Sequence, residues 1–428
     1  MSPTFGIVLL ICIGLGVPVA FALIGGPIAG FIVDDKMVFL QTLPRRIYSG
    51  IDSFPLLAIP LFILAGNLMN TGGITIRLVD FAKVLVGHLR GGLAQVNILS
   101  SVLFAGLSGS AVADTSALGS MLVPAMERDG YTRRFAVAVT AASSVIGPII
   151  PPSIIMIVYA YVMNVSVAAL FAAGIVPGLT MALGLMAVTA YIGKKRNFPK
   201  AERRATVKQA SIAFKDAIIP LMTPVIILGG IVSGVFTPTE AAASAVIYAV
   251  CVGFFFTRSL KLSHLPRILA ETGVTSASIL IVVGAAAAFG YATTLSQLPV
   301  KVAEFLPEVS SNVIVILLLV NVLLLVTGMF LDSGPAIIIL APLLGPALMN
   351  FGVDPLHLAA IMSINLTIGL ATPPLGLVLF VGSSISGVPV SKIAREMLPY
   401  YAIHFSVILA VTFIPALALT VPRLLGLY

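Results

Sequence analysis

Long apolar stretches without charge are the feature that most limits what this chain can fold into. The first runs from Thr4 to Val33, which exceeds the roughly 20 helical residues that cross a bilayer core. It has no basic segment before it and is longer than a signal peptide, so we expect a retained membrane helix. Only 9% of the 428 residues are charged, against about a quarter in soluble domains. Apolar and polar residues do not alternate as in outer-membrane barrels, so the sequence predicts an all-α polytopic membrane protein.

The net charge of +8 could indicate a nucleic-acid partner, but the distribution of the basic residues along the chain argues against one. Eight of the 24 Lys and Arg residues lie in Gly193–Asp216. A basic cluster between apolar stretches is typical of a cytoplasmic loop under the positive-inside rule, so we expect membrane lipid around the chain and no nucleic acid. Cys12 and Cys251 lie in separate apolar segments, where we expect packing rather than a disulfide or a metal site.

An internal repeat organises the chain. A shift of 222 residues superimposes seven of 11 glycines and prolines without a gap, whereas chance would match about one. The matching residues are Gly106, Pro124, Gly130, Gly147, Pro151, Pro152 and Pro177, which fall on Gly328, Pro346, Gly352, Gly369, Pro373, Pro374 and Pro399. The sequence therefore predicts two copies of one membrane unit.

Basic residues give the two copies opposite orientations. The predicted units are residues 54–192, with a re-entrant hairpin at 95–126 and a broken helix at 135–173, and residues 272–428, with a hairpin at 313–349 and a broken helix at 357–386. The second hairpin enters from outside, because its exit loop Asn350–Leu356 has no basic residue. Such inverted-topology repeats are typical of secondary transporters. Arg45 and Arg46 do not fit, since this scheme leaves them outside; an interfacial helix or a second crossing would explain them.

Each copy contains two interruptions at matching places. One is a hairpin tip, Gly106–Asp114 or Gly328–Pro335, and the other is a Pro-Pro pair preceded by glycine, at Gly147–Ser153 or Gly369–Pro374. Adjacent prolines leave carbonyls free, which a membrane tolerates only where the backbone is buried in protein or lines a cavity. Freed carbonyls beside hydroxyl groups suit Na⁺, and the helix N-termini beyond the breaks suit a carboxylate. A kink between crowded helices is the alternative, which two equivalent pairs disfavour.

Three acidic residues lie in apolar surroundings. Asp332 is the best candidate for a cation ligand or a residue supporting one, and its alternative is an N-cap of the following helix. Asp114 lies one turn past the first tip, where we expect capping or hydrogen bonding to the hydroxyl groups that follow it. Glu240 ends the segment Thr237-Pro-Thr-Glu240, which reads as a capping box with a structural role.

Signatures of other protein classes are weak. The four histidines are scattered, and none is paired with Cys or Glu at metal-ligand spacing; they are His88, His264, His357 and His404. No ATP-binding motif is present, so we expect no enzyme, and energy must come from an ion gradient or a partner. An integral membrane enzyme would need a catalytic constellation that the sequence lacks, and the paired hairpins argue against the continuous pore of a channel.

Five motifs resemble those of one family. They are Pro60-Leu-Phe-Ile-Leu-Ala-Gly-Asn-Leu-Met69, Phe104–Asp114, Pro151-Pro-Ser-Ile154, Phe236–Ala243 and Ala371-Thr-Pro-Pro374. Over essentially its full length the chain resembles the large, DctM-like membrane subunit of tripartite ATP-independent periplasmic (TRAP) transporters, within the wider ion-transporter superfamily. The resemblance implies an elevator mechanism, in which a transport domain holding both hairpins and both broken helices slides against a scaffold. The scaffold would include the N-terminal membrane or interfacial helices 1–53 and the helices 217–271, and residues 193–216 would form a cytoplasmic loop.

The same resemblance implies the cargo, the partners and the location. The substrate would be a small carboxylate, such as a C4-dicarboxylate, a sialic acid, or another sugar or keto acid, carried with Na⁺ bound at two or more sites. The partners would be a small four-helix membrane subunit and a periplasmic substrate-binding protein, at the bacterial inner membrane. A self-sufficient symporter of the same superfamily is the alternative, and such a chain would transport alone.

The resemblance also assigns residues to the sites. A first Na⁺ site would draw on Ser108, Ser110, Gly147 and Pro151, a second on Gly328, Asp332, Ser333 and Thr372, and substrate contacts on Ser153, Thr293, Gln297 and the hairpin tips. The first tip offers hydroxyl groups where the second offers Asp332. We therefore expect the two cation sites to differ in affinity.

The charge asymmetry predicts which side of the membrane each loop faces. A single Cys placed in Gly193–Asp216 should react with an impermeant thiol reagent only from the cytoplasmic side, and one placed in Asn350–Leu356 only from the periplasmic side. Labelling of intact cells and of inverted vesicles measures both. Reaction of both positions from one side would rule out the inverted repeat.

Overall fold

The computed structural model describes residues 4–199 and 206–428, and within them all regular structure is helical. Eight of the described helices are long and apolar enough to cross a membrane, which confirms the predicted all-α polytopic class. Of the basic residues predicted to form a cytoplasmic loop, Lys200, Arg203 and Arg204 lie outside the described residues.

The twenty α-helices of the described residues are numbered in chain order. They are α1 Thr4–Gly14, α2 Val19–Val33, α3 Leu43–Ile51, α4 Ala58–Thr71, α5 Ile74–Val86, α6 Gly92–Ser108, α7 Ala111–Arg128, α8 Arg133–Ser144, α9 Ile154–Met163, α10 Val167–Lys195, α11 Val207–Val232, α12 Pro238–Cys251, α13 Leu265–Leu295, α14 Leu298–Val309, α15 Val313–Phe330, α16 Ser333–Asn350, α17 Pro355–Gly369, α18 Leu377–Ser386, α19 Val390–Phe413 and α20 Ala416–Leu424. Short 3₁₀ or π turns lie at Met37–Thr42, Phe54–Leu57, Val252–Phe256 and Leu262–His264.

The expectation of one membrane helix over Thr4–Val33 is wrong. The stretch forms two helices, α1 of 11 and α2 of 15 residues, separated by a turn in which Gly16 adopts a left-handed φ of +79°. Pro18 precedes α2, and its missing N–H prevents continuation of the α1 hydrogen-bond ladder. The two helices pack closely, since a Cβ on Gly26 would lie 2.6 Å from the Phe5 carbonyl oxygen.

The short helix α3 carries Arg45 and Arg46. Its nine residues extend about 13 Å, far less than the roughly 30 Å of a bilayer core. Leu43 and Gly50 are buried, whereas the two arginines are exposed. Gly50 lies directly against α13, where a Cβ would overlap the side chain of Ala287. An interfacial helix therefore explains the two arginines better than a second crossing.

The predicted hairpins and broken helices fall on pairs of helices. Hairpin 95–126 falls on α6 and α7, joined at Gly109–Ser110, and hairpin 313–349 falls on α15 and α16, joined at Leu331–Asp332. Broken helix 357–386 falls on α17 and α18, with its interruption at 370–376, and the first interruption, at 145–153, separates α8 from α9. Both Pro-Pro bonds, Pro151–Pro152 and Pro373–Pro374, are cis.

Several predicted boundaries differ from the helices. The first broken helix ends at Met163 rather than 173, because Asn164 takes a left-handed φ of +54° and Ser166 caps α10. The predicted boundaries at 192/193, 216/217 and 271/272 fall inside the continuous helices α10, α11 and α13. The capping box at Thr237 is confirmed, since its hydroxyl accepts from the Glu240 N–H and the Glu240 carboxylate accepts from the Thr237 N–H.

Each interruption packs against its own hairpin through glycine. A Cβ on Gly369 would lie 2.6 Å from the Cα of Gly328 and 2.9 Å from the Leu325 carbonyl oxygen, all in the second unit. In the first unit, a Cβ on Gly109 would lie 2.9 Å from the Pro152 carbonyl oxygen. Because these neighbours are backbone atoms, only glycine permits the approach.

Gly369→Ala should therefore destabilise the protein. The added methyl group meets backbone that cannot rotate away, and overpacking of this kind costs about 1–3 kcal/mol. The apparent Tm of the detergent-purified variant should fall by several degrees. Gly273→Ala is the matched control, because no atom lies within 4 Å of a Cβ there; equal Tm values for both variants would contradict the packing argument.

Candidate functional site

A cavity of about 170 Å³ lies between the two hairpin tips. The first tip contributes Gly109 and Ser110, and the second contributes Asp332 and Gly334. The remaining lining comes from α7, α9, α13, α16 and the two interruptions, through Ala111, Val112, Pro148, Ile154, Ile155, Val158, Ser278, Ile279, Val282, Pro335, Ile338 and Leu370. The cavity thus joins elements from both halves of the chain.

The first tip is organised around Asp114. Its Oδ1 accepts a hydrogen bond from the Ser108 hydroxyl, and the Ser108 oxygen accepts from the Ser110 N–H at 3.3 Å. The Ser110 hydroxyl caps α7 by accepting from the Ala113 N–H at 3.4 Å. Helix α6 therefore ends, and α7 begins, around one carboxylate.

The other oxygen of Asp114 has no hydrogen-bond partner. The residue is fully buried at 0% exposure, and Oδ2 is unpaired among the described residues. It points at the first interruption, since a Cβ on Gly147 would overlap Oδ2. A buried carboxylate oxygen without a partner is costly unless a cation compensates it. The expected bonding of Asp114 to the hydroxyl groups that follow it is wrong, because Thr115 donates instead to Ala111.

The second tip is organised differently. Asp332 caps α16, its Oδ1 accepting from the Ser333 N–H at 2.8 Å, and its side chain also reaches the cavity. The predicted N-cap alternative is thus present without excluding a ligand role. The buried Ser333 hydroxyl has no hydrogen-bond partner among the described residues. The Gly376 N–H donates to the Met329 carbonyl at 3.3 Å, which ties the second interruption to the second hairpin.

The predicted cation residues are brought together unevenly. Ser108 and Gly147 contact the Asp114 carboxylate, and the Ser110 N–H donates to Ser108. Pro151 lies beside Gly106, where a Cβ would be 3.9 Å from the Pro151 carbonyl oxygen. In the second set, Gly328 packs on Gly369, and the Thr372 hydroxyl donates to Ile368 at 2.8 Å. The first set is thus built around an acidic residue that the sequence assigned to hydrogen bonding.

Of the predicted substrate contacts, the hairpin tips line the cavity, whereas Ser153, Thr293 and Gln297 lie outside its lining. Ser153 is buried and caps α9, its hydroxyl donating to the Pro148 carbonyl at 2.5 Å and accepting from the Met156 N–H at 3.3 Å. Thr293 donates to its own helix at Gly290, and Gln297 is exposed at the start of α14. Their role in substrate contact stays a prediction.

The part of α13 that faces the cavity was not identified from the sequence. Ser278, Ile279 and Val282 line it, and nothing in their local sequence pattern distinguishes them from other membrane-helix residues.

Asp114, in contrast, could have been identified as a candidate ligand from the sequence, because it is the one charged residue between Gly91 and Met126. An isolated charge in a long apolar stretch indicates a functional site by default.

Three helix N-termini converge on the cavity. Ala111 at the start of α7, Ile154 at the start of α9 and Gly334 in the first turn of α16 all line it. Each N-terminus carries about half a positive elementary charge through its unsatisfied N–H groups. Their convergence favours a negatively charged group in the cavity.

Comparisons with known proteins give a consistent result. Residues 6–417 match the model of the family described as tripartite ATP-independent periplasmic transporter, DctM component. The sialic acid TRAP transporter large permease SiaM of Vibrio cholerae is 41% identical over 96% of this chain and 95% of its own length. The C4-dicarboxylate large permease DctM of Pseudomonas aeruginosa is 40% identical over 91% of each chain. The crystal structure of the YdaH transporter of Alcanivorax borkumensis, 17% identical, superimposes with a TM-score of 0.61 over 92% of this chain and 90% of that one, which shows likeness of fold.

Proposed function

This chain belongs to the DctM family of tripartite ATP-independent periplasmic transporter components, and we propose that it is the permease subunit that carries a small carboxylate into the cell together with Na⁺. Membership of this family identifies the chain as a multi-pass membrane transport protein. The single observation that best supports the proposed coupling ion is the unpaired, fully buried oxygen of Asp114.

Asp114 supplies the charge of a first Na⁺ site. The ion would lie between the first tip and the first interruption, within reach of Asp114 Oδ2, the Ser108 hydroxyl and the backbone around Gly147. Such a site offers only oxygen ligands, which suit a hard cation and disfavour a transition metal. The ion would supply the partner that Asp114 Oδ2 lacks among the described residues.

Asp332 supplies the charge of a second Na⁺ site, together with the unpaired Ser333 hydroxyl. Because Asp332 reaches the cavity, its charge would repel an anionic substrate. Two like charges 4 Å apart repel by about 4 kcal/mol at an effective dielectric constant of 20. Na⁺ bound at Asp332 would remove that repulsion, so cation binding would be required before the carboxylate could bind tightly.

The substrate carboxylate would bind among the converging helix N-termini of α7, α9 and α16. Ser110 and Ser278 add hydroxyl groups to an otherwise mostly apolar lining. The names of the relatives in Vibrio cholerae and Pseudomonas aeruginosa indicate a sialic acid and a C4-dicarboxylate as their substrates. We propose a ligand of the same class, a small organic acid, for this chain.

Movement would follow the elevator mechanism that the family resemblance implies. The hairpins and broken helices would move together, since each interruption packs on its own hairpin through glycine. Helices α3 and α13 would belong to the static part. The Tyr161 hydroxyl on α9 donates to the Gly50 carbonyl on α3 at 2.9 Å, and this contact between the two parts would break and re-form in each cycle.

Two partners complete the proposed system at the bacterial inner membrane. The family description names a tripartite periplasmic transporter of which this chain is one component. We propose a small four-helix membrane subunit and a periplasmic substrate-binding protein as the other two.

Removing either carboxylate charge should weaken the response to Na⁺. In proteoliposomes containing all three components, Asp332→Asn and Asp114→Asn should raise the Na⁺ concentration for half-maximal uptake by about tenfold or more, since loss of a charged ligand costs more than about 1.4 kcal/mol. Ser110→Ala should have a smaller effect, because one hydroxyl among several oxygens is lost. The measurement is the initial uptake rate of labelled succinate or sialic acid against Na⁺ concentration.

Asp354→Asn provides a matched control for Asp332→Asn. Asp354 also caps a helix, accepting from the Leu356 and His357 N–H groups at 2.8 and 3.2 Å, but it does not line the cavity. Asn and Asp cap about equally well, so this control should keep its Na⁺ dependence. If the Na⁺ dependence of uptake is the same for Asp332→Asn as for the control, Asp332 has only a structural role.

The chain reconstituted alone should show negligible uptake. Adding the small subunit and the loaded binding protein should restore transport, because substrate would reach the cavity only by delivery. Counterflow and net uptake assays with and without each component measure this. Robust transport by the lone chain would support the self-sufficient symporter instead.

A further inference from the structure

A second cavity, of about 420 Å³, lies between α3, α9 and α13. Helix α3 contributes Arg46, Ser49 and Gly50, α9 contributes Tyr161, and α13 contributes Ala287, Gly290, Tyr291 and Thr294. None of these residues belongs to the cation sites or to the cavity between the hairpin tips. The cavity has one charged residue in its lining, and that residue is an arginine.

Arg46 is held in place without being neutralised. Its guanidinium carbon lies 4.4 Å from the centre of the Tyr291 ring, a stacking geometry that orients the group while leaving its edge open. No acidic side chain among the described residues lies within ion-pair distance of it. A guanidinium has five N–H donors in a plane that matches the two oxygens of a carboxylate.

Three of the four hydroxyl groups of this cavity already donate within the protein. Ser49 donates to the Arg46 carbonyl, Tyr161 to the Gly50 carbonyl and Thr294 to the Gly290 carbonyl. Each of these three hydroxyls has one hydrogen, so the donors left for a ligand are the Tyr291 hydroxyl and the Arg46 guanidinium. Arg46 is the one charged residue of the lining, and recognition of an anion depends mainly on it.

The second cavity lies along the same two helices as the first. On α9 the wall passes from Val158, which lines the first cavity, to Tyr161, one turn further on. On α13 it passes from Val282 to Ala287, about 7 Å along the helix axis. With the basic segments Gly193–Asp216 and Arg258–Arg267 in the cytoplasm, α10 runs inward, so α9 before it runs outward, and α13 also runs outward. Both helices therefore lead towards the periplasmic side.

The charge of α3 is itself unexpected on that side. The positive-inside rule disfavours arginines near the outer ends of membrane helices, and α3 is too short to carry Arg46 to the other side. Arg46 lies over an open cavity and has no acidic partner among the described residues, an arrangement that suits a negatively charged ligand. The rest of the cavity offers none.

We propose that Arg46 forms a docking site for the carboxylate group of incoming substrate, in a vestibule on the periplasmic side of the main cavity. This inference rests on the proposed function, since it concerns the same class of substrate. The guanidinium attracts the anion and holds it through two parallel N–H···O bonds at the mouth. The substrate then passes between α9 and α13 to the cavity between the hairpin tips.

Arg45 provides an internal control. It is the preceding residue of α3, is also an exposed arginine, and does not line the vestibule. In proteoliposomes of the complete transporter, Arg46→Gln should raise the KM for succinate or sialic acid about fivefold with kcat retained, as expected for loss of one partly exposed ion pair. Arg45→Gln should match wild type. Equal kinetics for all three proteins, or equal losses in both variants, overturns the proposal.

A binding measurement separates this inference from the proposed function. Phenylglyoxal modifies guanidinium groups, and peptide mass spectrometry reports Arg45 and Arg46 in the same sample. Succinate should protect Arg46 at least about threefold more than Arg45 in nanodiscs of zwitterionic lipid, since only Arg46 would hold the carboxylate. If wild type transports no carboxylate, the proposed function fails, and protection still decides whether Arg46 binds one. Protection by phosphatidylglycerol but not by succinate would identify a lipid-headgroup site and overturn the proposal.

Discussion

The structure depends on one constraint, that backbone interrupted inside an apolar protein must find partners within the protein. Both interruptions of the broken helices meet it in the same way, by packing against the hairpin of their own half. Gly109 against Pro152, and Gly328 against Gly369, bring backbone to backbone at distances that no side chain would allow. The first contact joins two residues that lie between helices, whereas Gly328 and Gly369 belong to α15 and α17. The same contacts that allow the interruptions hold the hairpin tips beside them, where we propose the cation sites.

The two halves place their carboxylates differently although their glycines and prolines match. The 222-residue shift carries Asp114 to Ala336 and Asp332 to Ser110. Asp114 is sealed between tip and interruption, whereas Asp332 lies at the cavity wall. A cation at Asp114 would stabilise the first hairpin whether or not substrate is present. A cation at Asp332 would instead remove the repulsion between that carboxylate and the substrate. In the proposed mechanism, coupling of ion and substrate would therefore depend more on the second half than on the first.

Sequence patterns predicted the positions of the breaks, whereas the burial and contacts of the candidate ligands became visible only in the structure, for a physical reason. Gly and Pro act on their own backbone, so their effect is visible locally: the tips, the Pro-Pro turns and the capping box at Thr237 all lie where their residues indicated. The role that we propose for Asp114 depends on its position beside Gly147, 33 residues away, and on a burial that only packing reveals. Ser153 was assigned to substrate contact by the family resemblance, and the structure shows that it caps α9. Gly16 and Pro18 indicate locally the turn between α1 and α2, although both lie in a continuous apolar stretch.

The contact between Tyr161 and Gly50 links the two cavities mechanically. Tyr161 and Val158 lie on one helix, so any displacement of α9 along α13 changes the walls of both cavities at once. One hydrogen bond contributes only about 1 kcal/mol net, which is too little to hold α9 in place against bound ions or substrate. The bond instead lies where a small difference in binding energy can decide whether α9 stays beside α3. A carboxylate held by Arg46 would lie next to that bond, so docking and displacement of α9 would compete for the same few ångströms of space.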